Sequence, residues 1–415
     1  MTAAADSLPQ GPIDVLLYVQ HLLGIGHLQR AALLAKALDQ NGISVVLVSG
    51  GAPVAGLDSG GAGFVQLPPL RTRDENFSEL LDQSGRPIDD AWKAARRARL
   101  LALYRALVPR ALLIEMFPFG RRQMRFELLP LLEAATASTP RPQVLCSLRD
   151  VLTRNRRSEK TAWMLDTFAR YFDLVLVHGD PDFLPLERSF PEAAGIAAKL
   201  RYTGYVVEAA PALDPGPAGG APEGTGEAIV STGGGAVAGP LIEAALAARA
   251  LSPLAEAPWR FLIGPNMAEA AFRDLVARAR AGVPADVPGG VTIERARPDF
   301  RSLLARARLS ISQAGYNTVL EVLAAGVPAV VVPFAAGSES EQSLRARLLA
   351  ERGALTLLEA AALTPANLAT AIAVTLARGR AGTGTGTGTG TAGLDLRGMQ
   401  TTVDILRERL DIVAS

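Results

Sequence analysis

Short apolar runs alternate with longer stretches of Ala, Leu and Arg along the whole chain. Residues 13–19 form a run with the length of a buried strand. A glycine-bearing turn follows, Leu23-Gly24-Ile25-Gly26-His27, and residues 28–38 read as an Ala/Leu-rich helix ending near Asn41-Gly42. Residues 43–48 are the next β-branched run, closed by Gly50-Gly51. This strand–helix–strand unit opens a parallel sheet. Further strands are predicted at 111–114, 143–147 and 174–177, with helices at 88–108 and 122–135. Residues 71–87 are polar and irregular, the pattern of a mobile loop.

Residues 208–227 hold four prolines and five glycines among alanines, and read as a linker. After it the alternation restarts. Strands are predicted at 228–231, 260–263, 291–294, 309–312, 329–332 and 355–358, with a glycine turn at 233–235 and a helix at 240–251. The Gly-Thr repeat of 382–393 is low-complexity linker, and it precedes a last helix at 399–412. The chain is thus α/β, with two halves of similar size. In such folds ligands bind outside the carboxyl ends of the strands.

Composition narrows the partners. Forty-two basic residues face 41 acidic ones, for a net charge of +1, so no basic excess points to nucleic acid. At 49% hydrophobic and 20% charged, the chain is not disordered. Aromatics at 5% argue against a base-stacking platform. The single cysteine, Cys146, permits no intrachain disulfide and fits a reducing compartment. No run reaches the roughly 20 apolar residues of a membrane span. The nearest, 319–334, is broken by Glu321, Pro328 and Pro333. The N-terminus lacks the basic start of a secretory signal. The expectation is a soluble, cytoplasmic protein.

Four segments could carry chemistry. Gly24-Ile25-Gly26-His27-Leu28-Gln29-Arg30 lies where a strand turns into a helix, and its amides could meet an anion. It lacks the third glycine and the acidic residue of a dinucleotide fingerprint, which disfavours a dehydrogenase. His27 is either a general base or a histidine that only packs or caps at a helix start. The second loop, Ser231-Thr232-Gly233-Gly234-Gly235, lacks the Lys-Ser/Thr of a Walker loop; it is a backbone phosphate cradle or a tight turn. The third and densest runs from Ser312 through Gly315, Asn317 and Thr318 to Glu321. A helix starting near Asn317 would offer free amides to a pyrophosphate, and Glu321 could accept from a ribose diol. The alternative for Thr318 and Glu321 is a capping box. Residues 338–342, ending in Glu341-Gln342, could bind sugar hydroxyls or form an acidic first helical turn.

The second half resembles the family 28 glycosyltransferases of the GT-B fold, typified by the enzyme that adds GlcNAc to the peptidoglycan lipid intermediate. The resemblance rests on Thr232-Gly233-Gly234-Gly235, on the stretch 312–334 and on Glu341-Gln342, and covers most of 225–380. It implies two Rossmann-like, doubly wound parallel-sheet domains facing across a cleft. The expected division is an acceptor-side domain at 1–207, a linker at 208–227, a nucleotide-sugar domain at 228–380, a linker at 381–393 and a helix crossing back at 394–415. It implies that Glu321 binds the nucleotide ribose, Glu341 and Gln342 the donor sugar, and the glycine loops the diphosphate, with His27 as base. The donor would be a UDP- or dTDP-linked sugar acting as co-substrate, with no other cofactor and no metal. The acceptor would be a small molecule or lipid-linked, placing the protein in the cytoplasm or peripherally at the membrane. Phe117-Pro118-Phe119-Gly120 and Ser147-Leu148-Arg149-Asp150 look like a group of uncharacterised predicted glycosyltransferases. They put Glu115, Arg121, Arg149 and Asp150 on the acceptor side.

Arg121, Arg122 and Arg125 could meet an anionic acceptor or form a solvated helix face. Asp180-Pro181-Asp182 is read as an N-cap and not as a metal-binding Asp-x-Asp. One departure from the family is plain. Its interdomain arginine is missing, because Thr203-Gly204-Tyr205-Val206-Val207 is followed by Glu208. Gly26-His27-x-x-Arg30 also resembles nucleotide-sugar hydrolases of this fold, so hydrolysis or epimerisation is one rival activity. A non-catalytic sugar-nucleotide-binding partner is another.

Overall fold

The computed structural model describes residues 11–22, 24–72, 79–152, 158–211, 222–233, 239–264, 267–282, 290–333, 341–379 and 393–412. The chain divides into two compact units, Met1–Val206 with Arg397–Ser415, and Val207–Leu396.

In the first unit, strands β1 (Val15–Val19), β2 (Val45–Ser49) and β3 (Gly63–Gln66) are followed by the short β4 (Arg71–Thr72) and β5 (Leu80–Leu81). Then come β6 (Ala111–Glu115), β7 (Gln143–Arg149), β8 (Leu174–His178) and β9 (Leu200–Tyr202). The main sheet is parallel, in the order β3-β2-β1-β6-β7-β8-β9. Alternate residues of β1 go to opposite faces, as strand geometry demands. Leu16 and Tyr18 enter the core shared with α2 (Asp90–Leu107), α3 (Arg125–Ala137) and α4 (Ser158–Tyr171). Val15, Leu17 and Val19 enter the other core, with α1 (Gly26–Gln40). A sheet buried on both faces explains why its strands read as unbroken apolar runs.

The second unit repeats the plan. Its strands are β10 (Ala228–Ser231), β11 (Trp259–Ile263), β12 (Val291–Arg295), β13 (Leu309–Ser312), β14 (Ala329–Val331) and β15 (Thr356–Leu357), parallel in the order β12-β11-β10-β13-β14-β15. Helices α5 (Gly239–Arg249), α6 (Glu269–Gly282) and α10 (Pro365–Arg378) contribute to one apolar core. α7 (Phe300–Arg306) packs against α8 (Tyr316–Ala325), and α9 (Glu341–Glu351) leads into β15. The last helix, α11 (Gly398–Arg409), belongs to the first unit, where Val403, Leu406 and Leu410 join the core around α1. No helix among the described residues is long and apolar enough to cross a membrane.

A buried ionic network fixes the carboxyl end of β1. Arg96 on α2 grips Glu127 on α3 through two bonds, of 2.8 and 3.0 Å, with both side chains fully buried. Arg96 also donates to the Gln20 side chain (2.7 Å) and to the carbonyls of Gly50 and Pro68, while Tyr18 donates to Glu127. Such a pair is favourable only while complete; removing one partner typically costs about 3–5 kcal/mol. Only glycine fits at Gly50, because a Cβ there would strike Gln20 and Arg96.

The segment 71–87 departs from the loop expectation. Its described parts form an antiparallel pair, Arg71 opposite Leu81 and Thr72 opposite Leu80. Asp82 closes the turn by accepting from the amides of Ser84 (2.8 Å) and Arg86 (3.0 Å). The polar residues thus satisfy a tight turn. Of the expected linker 208–227, both described ends are anchored: Glu208 pairs with Arg301, and Glu227 pairs with Arg260 at 2.6 Å. Most of the Gly-Thr repeat lies outside the described residues.

Candidate functional site

The strand order of the first unit reverses between β1 and β6, the place where parallel sheets bind ligands. His27 follows β1, and Glu115 ends β6. α1 starts at Gly26, so His27 and Arg30 stand three residues apart in its first turns. That spacing puts both side chains on one helix face. Both reach the same atom. His27 Nδ1 lies 2.7 Å from Glu115 Oε1, and Arg30 Nη2 pairs with that oxygen too. Glu115 is 1% exposed, Arg30 2% and His27 17%, so a buried carboxylate holds a half-buried imidazole.

A carboxylate only accepts, so Nδ1 carries the proton and Nε2 keeps its lone pair. Burial pulls the imidazole down from its ordinary 6.5 to about 4, Glu115 pulls the other way, and Arg121 and Arg149 add to the fall. Burial alone would raise Glu115, but His27, Arg30 and Arg121 outweigh it and hold the carboxyl at about 2. At neutral pH the pair is a carboxylate beside a neutral imidazole, the state a general base needs.

The other acceptor-side residues surround this pair unevenly. Arg121 sits in the left-handed region (φ 56°), and its Nε donates to the Gln20 carbonyl at 2.8 Å, which ties it to the Arg96 network. Arg149 is the last residue of β7. Asp150 is fully buried and accepts from the Tyr205 hydroxyl at 3.0 Å. Arg121, Arg122 and Arg125 do not act as one run, since Arg122 stacks over Trp163 and Arg125 is exposed. Asp180 is not a helix N-cap: its carboxylate accepts from the Asp182 amide at 2.9 Å in a turn after β8. Of the remaining histidines, His178 is buried between Ser147 and Thr203, and His21 contacts the Ala52 carbonyl. Gly24 is exposed, and a Cβ there would meet open space, so packing does not require that glycine.

In the second unit the switch point falls between β10 and β13. Gly233 (φ +56°) follows β10, and Gly315 follows β13. A Cβ on either would lie within 4.0 Å of Thr318 Oγ1, so both loops close on that hydroxyl. α8 begins at Tyr316 with Gly315 as its N-cap, and its first intrahelical bond is from the Val319 amide to the Gly315 carbonyl. Thr318 is therefore inside the helix, and the capping-box alternative for Glu321 fails. Glu321 stands one turn after Thr318, and burial raises its carboxyl to about 7. Asn317 is half-buried in the first turn. Ser312 Oγ is buried with no partner among the described residues. The Thr232 hydroxyl is engaged inside the unit, accepting from the Gly264 amide at 3.1 Å. Glu341 and Gln342 open α9 and are half-buried, so the acidic first turn is present. Gly234, Gly235 and residues 338–340 lie outside the described residues.

Arg30, quoted from the sequence only as part of the Gly26-His27-x-x-Arg30 pattern, proves to share the Glu115 carboxylate with His27, and its three-residue spacing from His27 was the signal for it.

Residues 229–383 match the glycosyltransferase family 28 C-terminal domain. The chain is 35% identical over 28% of its length to the UDP-N-acetylglucosamine–N-acetylmuramyl-(pentapeptide) pyrophosphoryl-undecaprenol N-acetylglucosamine transferase of Ralstonia nicotianae, covering 39% of that protein. With the same-named protein of Azotobacter vinelandii it shares 32% identity over 44% of this chain and 48% of that one. The chain thus spans about half the length, or less, of these curated relatives. Over nearly its whole length it shares a fold with solved structures. The kitacinnamycin glycotransferase has a TM-score of 0.59 at 17% identity, covering 96% of this chain and 100% of that one. Acinetobacter baumannii MurG has a TM-score of 0.55 at 18% identity, covering 95% and 99%. The fold is GT-B, and its C-terminal half is family 28-like.

Proposed function

We propose, from a family 28 half on a GT-B frame, that this chain is an inverting, metal-independent glycosyltransferase using a nucleoside-diphosphate sugar. The observation that carries the reading is the His27–Glu115 contact at the switch point of the first sheet. His27 Nε2 takes the proton of an acceptor hydroxyl as that oxygen attacks the anomeric carbon. The bond from that carbon to the diphosphate breaks, and the diphosphate leaves with the electron pair. Glu115 holds the tautomer through Nδ1 and stabilises the imidazolium that forms. Amides at the start of α8 favour the departing anion without a metal ion. Glu321 takes the ribose of a UDP- or dTDP-linked donor, and Glu341 and Gln342 its sugar. The names of the relatives support a GlcNAc donor and a lipid-linked acceptor as the first to try, with the protein acting in the cytoplasm at the membrane surface.

The test measures donor consumption and product with and without added acceptors. Transfer requires the acceptor, whereas release of free sugar at the same rate without one would mean hydrolysis. His27→Ala should lower turnover by about 10²–10⁴-fold with nucleotide affinity nearly unchanged. Near-normal turnover in that variant would remove His27 as the base.

A further inference from the structure

Glu208 lies on the segment that leads into the second unit, and an uncompensated acid at a diphosphate site would repel that ligand. The second unit supplies the compensation. Arg301, second residue of α7, pairs through Nη2 with Glu208 Oε2, and both side chains are partly buried, 33% and 19% exposed. α7 packs against α8, the helix that carries Glu321. Arg301 and Glu208 are the two charged groups that act on Glu321, in opposite senses. The connecting segment, α7 and α8 therefore bring three charged side chains within electrostatic reach of one another. A guanidinium has five N–H donors, and the pair with Glu208 is made through Nη2. The rest of the fork can take a second anion.

We propose that Arg301 is the cation of the donor site: Glu208 holds its guanidinium beside Glu321, and it binds the diphosphate of the nucleotide. The inference rests on the reading of Glu321 as the ribose carboxylate. The charge arrives from α7, and the connecting segment provides its clamp. Helix amides offer only partial charge. A fork already held by one carboxylate loses little freedom on taking a phosphate.

The experiment is calorimetry on the full chain with UDP, dTDP, uridine and thymidine. Arg301→Gln should weaken the better diphosphate by about 10–100-fold, the range for hydrogen bonds to a charged group. Its affinity for the matching nucleoside should stay unchanged. Because Arg301→Gln leaves Glu208 without its partner, the double variant Glu208→Gln/Arg301→Gln removes the pair together and should show the same loss. Arg301→Lys, which keeps charge without the fork, should fall between. Wild-type affinity for the diphosphate in the double variant would overturn the proposal. So would an equal loss for nucleoside and diphosphate, which would make Arg301 a support for Glu321 alone. Glu321→Gln separates the two readings, since it should weaken the nucleoside as well. If Arg301→Gln fails while Glu321→Gln behaves as expected, only this inference falls. If the wild-type chain binds no nucleotide, both fall.

Discussion

Replacing Glu115 by Gln tests the proposed base and its support in one variant. The change keeps shape and removes the charge that His27 and Arg30 share on one oxygen. Three consequences follow. Arg30, 2% exposed, loses its buried carboxylate, and a broken buried pair typically costs about 3–5 kcal/mol. His27 loses the one carboxylate that raises its pKa, so its protonation should move to still lower pH. An amide no longer favours the Nδ1–H tautomer, and turnover should drop by about 10²–10⁴-fold, the usual scale of general-base catalysis. In the wild-type protein the acid limb of the rate should fall near pH 4, not near the ordinary 6.5 of histidine.

Stability carries the same signs. Glu115 titrates lower in the fold than its ordinary 4.5, so its contribution is present above that value and fades as pH falls towards about 2. His27 also titrates lower in the fold, so the unfolded chain takes its proton first, and stability falls as pH drops from 6.5 to about 4. The assays are the pH profile of kcat, urea denaturation at several pH values, and NMR titration of the three histidine rings. A wild-type acid limb near 6.5, together with an unchanged limb in Glu115→Gln, would refute the reasoning.

Glu321 is shifted the other way, upward. Its buried carboxyl sits near 7; if the ionised form accepts from ribose hydroxyls as proposed, affinity for a UDP-sugar should weaken by about tenfold between pH 8 and 6. Calorimetry across that range checks this, and Glu321→Gln should give a flat profile. At Gly398, an added Cβ would lie 2.5 Å from the Tyr205 carbonyl carbon and 2.6 Å from its oxygen, backbone that cannot rotate away. Gly398→Ala should therefore cost about 1–3 kcal/mol in urea denaturation, whereas Gly24→Ala should change stability by less than about 0.5 kcal/mol.

The sheet was legible because each central strand is buried on both faces, which leaves an apolar run with no polar interruption. The runs beginning at Ile13 and Ile43 show it. The edge strand β3, with its exposed Phe64, gives a weaker pattern and is absent from the sequence reading, whereas the edge strands β12 and β15 are in it. In the site, loops were legible and partnerships were not. Glu115 looked like a residue aimed at an acceptor, but it is buried behind His27, 88 positions away in sequence. No local pattern links residues at that distance. The spacing Thr318-x-x-Glu321 also allows a capping box, an alternative that the helix start at Tyr316 removes by moving both residues inward. Glu208 looked like a lost contact because its partner, Arg301, belongs to another helix. Spacing reveals neighbours on one element, and topology decides which elements meet.

The place of α11 has a consequence for biosynthesis. Its side chains Val403, Leu406 and Leu410 complete the apolar layer around α1, and Arg407 donates to the Asn41 carbonyl at 2.8 Å. Yet residues 207–396, a whole unit, are translated in between. At roughly 5–20 residues per second, that stretch occupies the ribosome for about 10–40 s. Through that interval the first unit is a nascent body with one wall missing, its α1 face open to chaperones or to another chain. The helix that carries His27 gains this support only after the whole second unit has been synthesised.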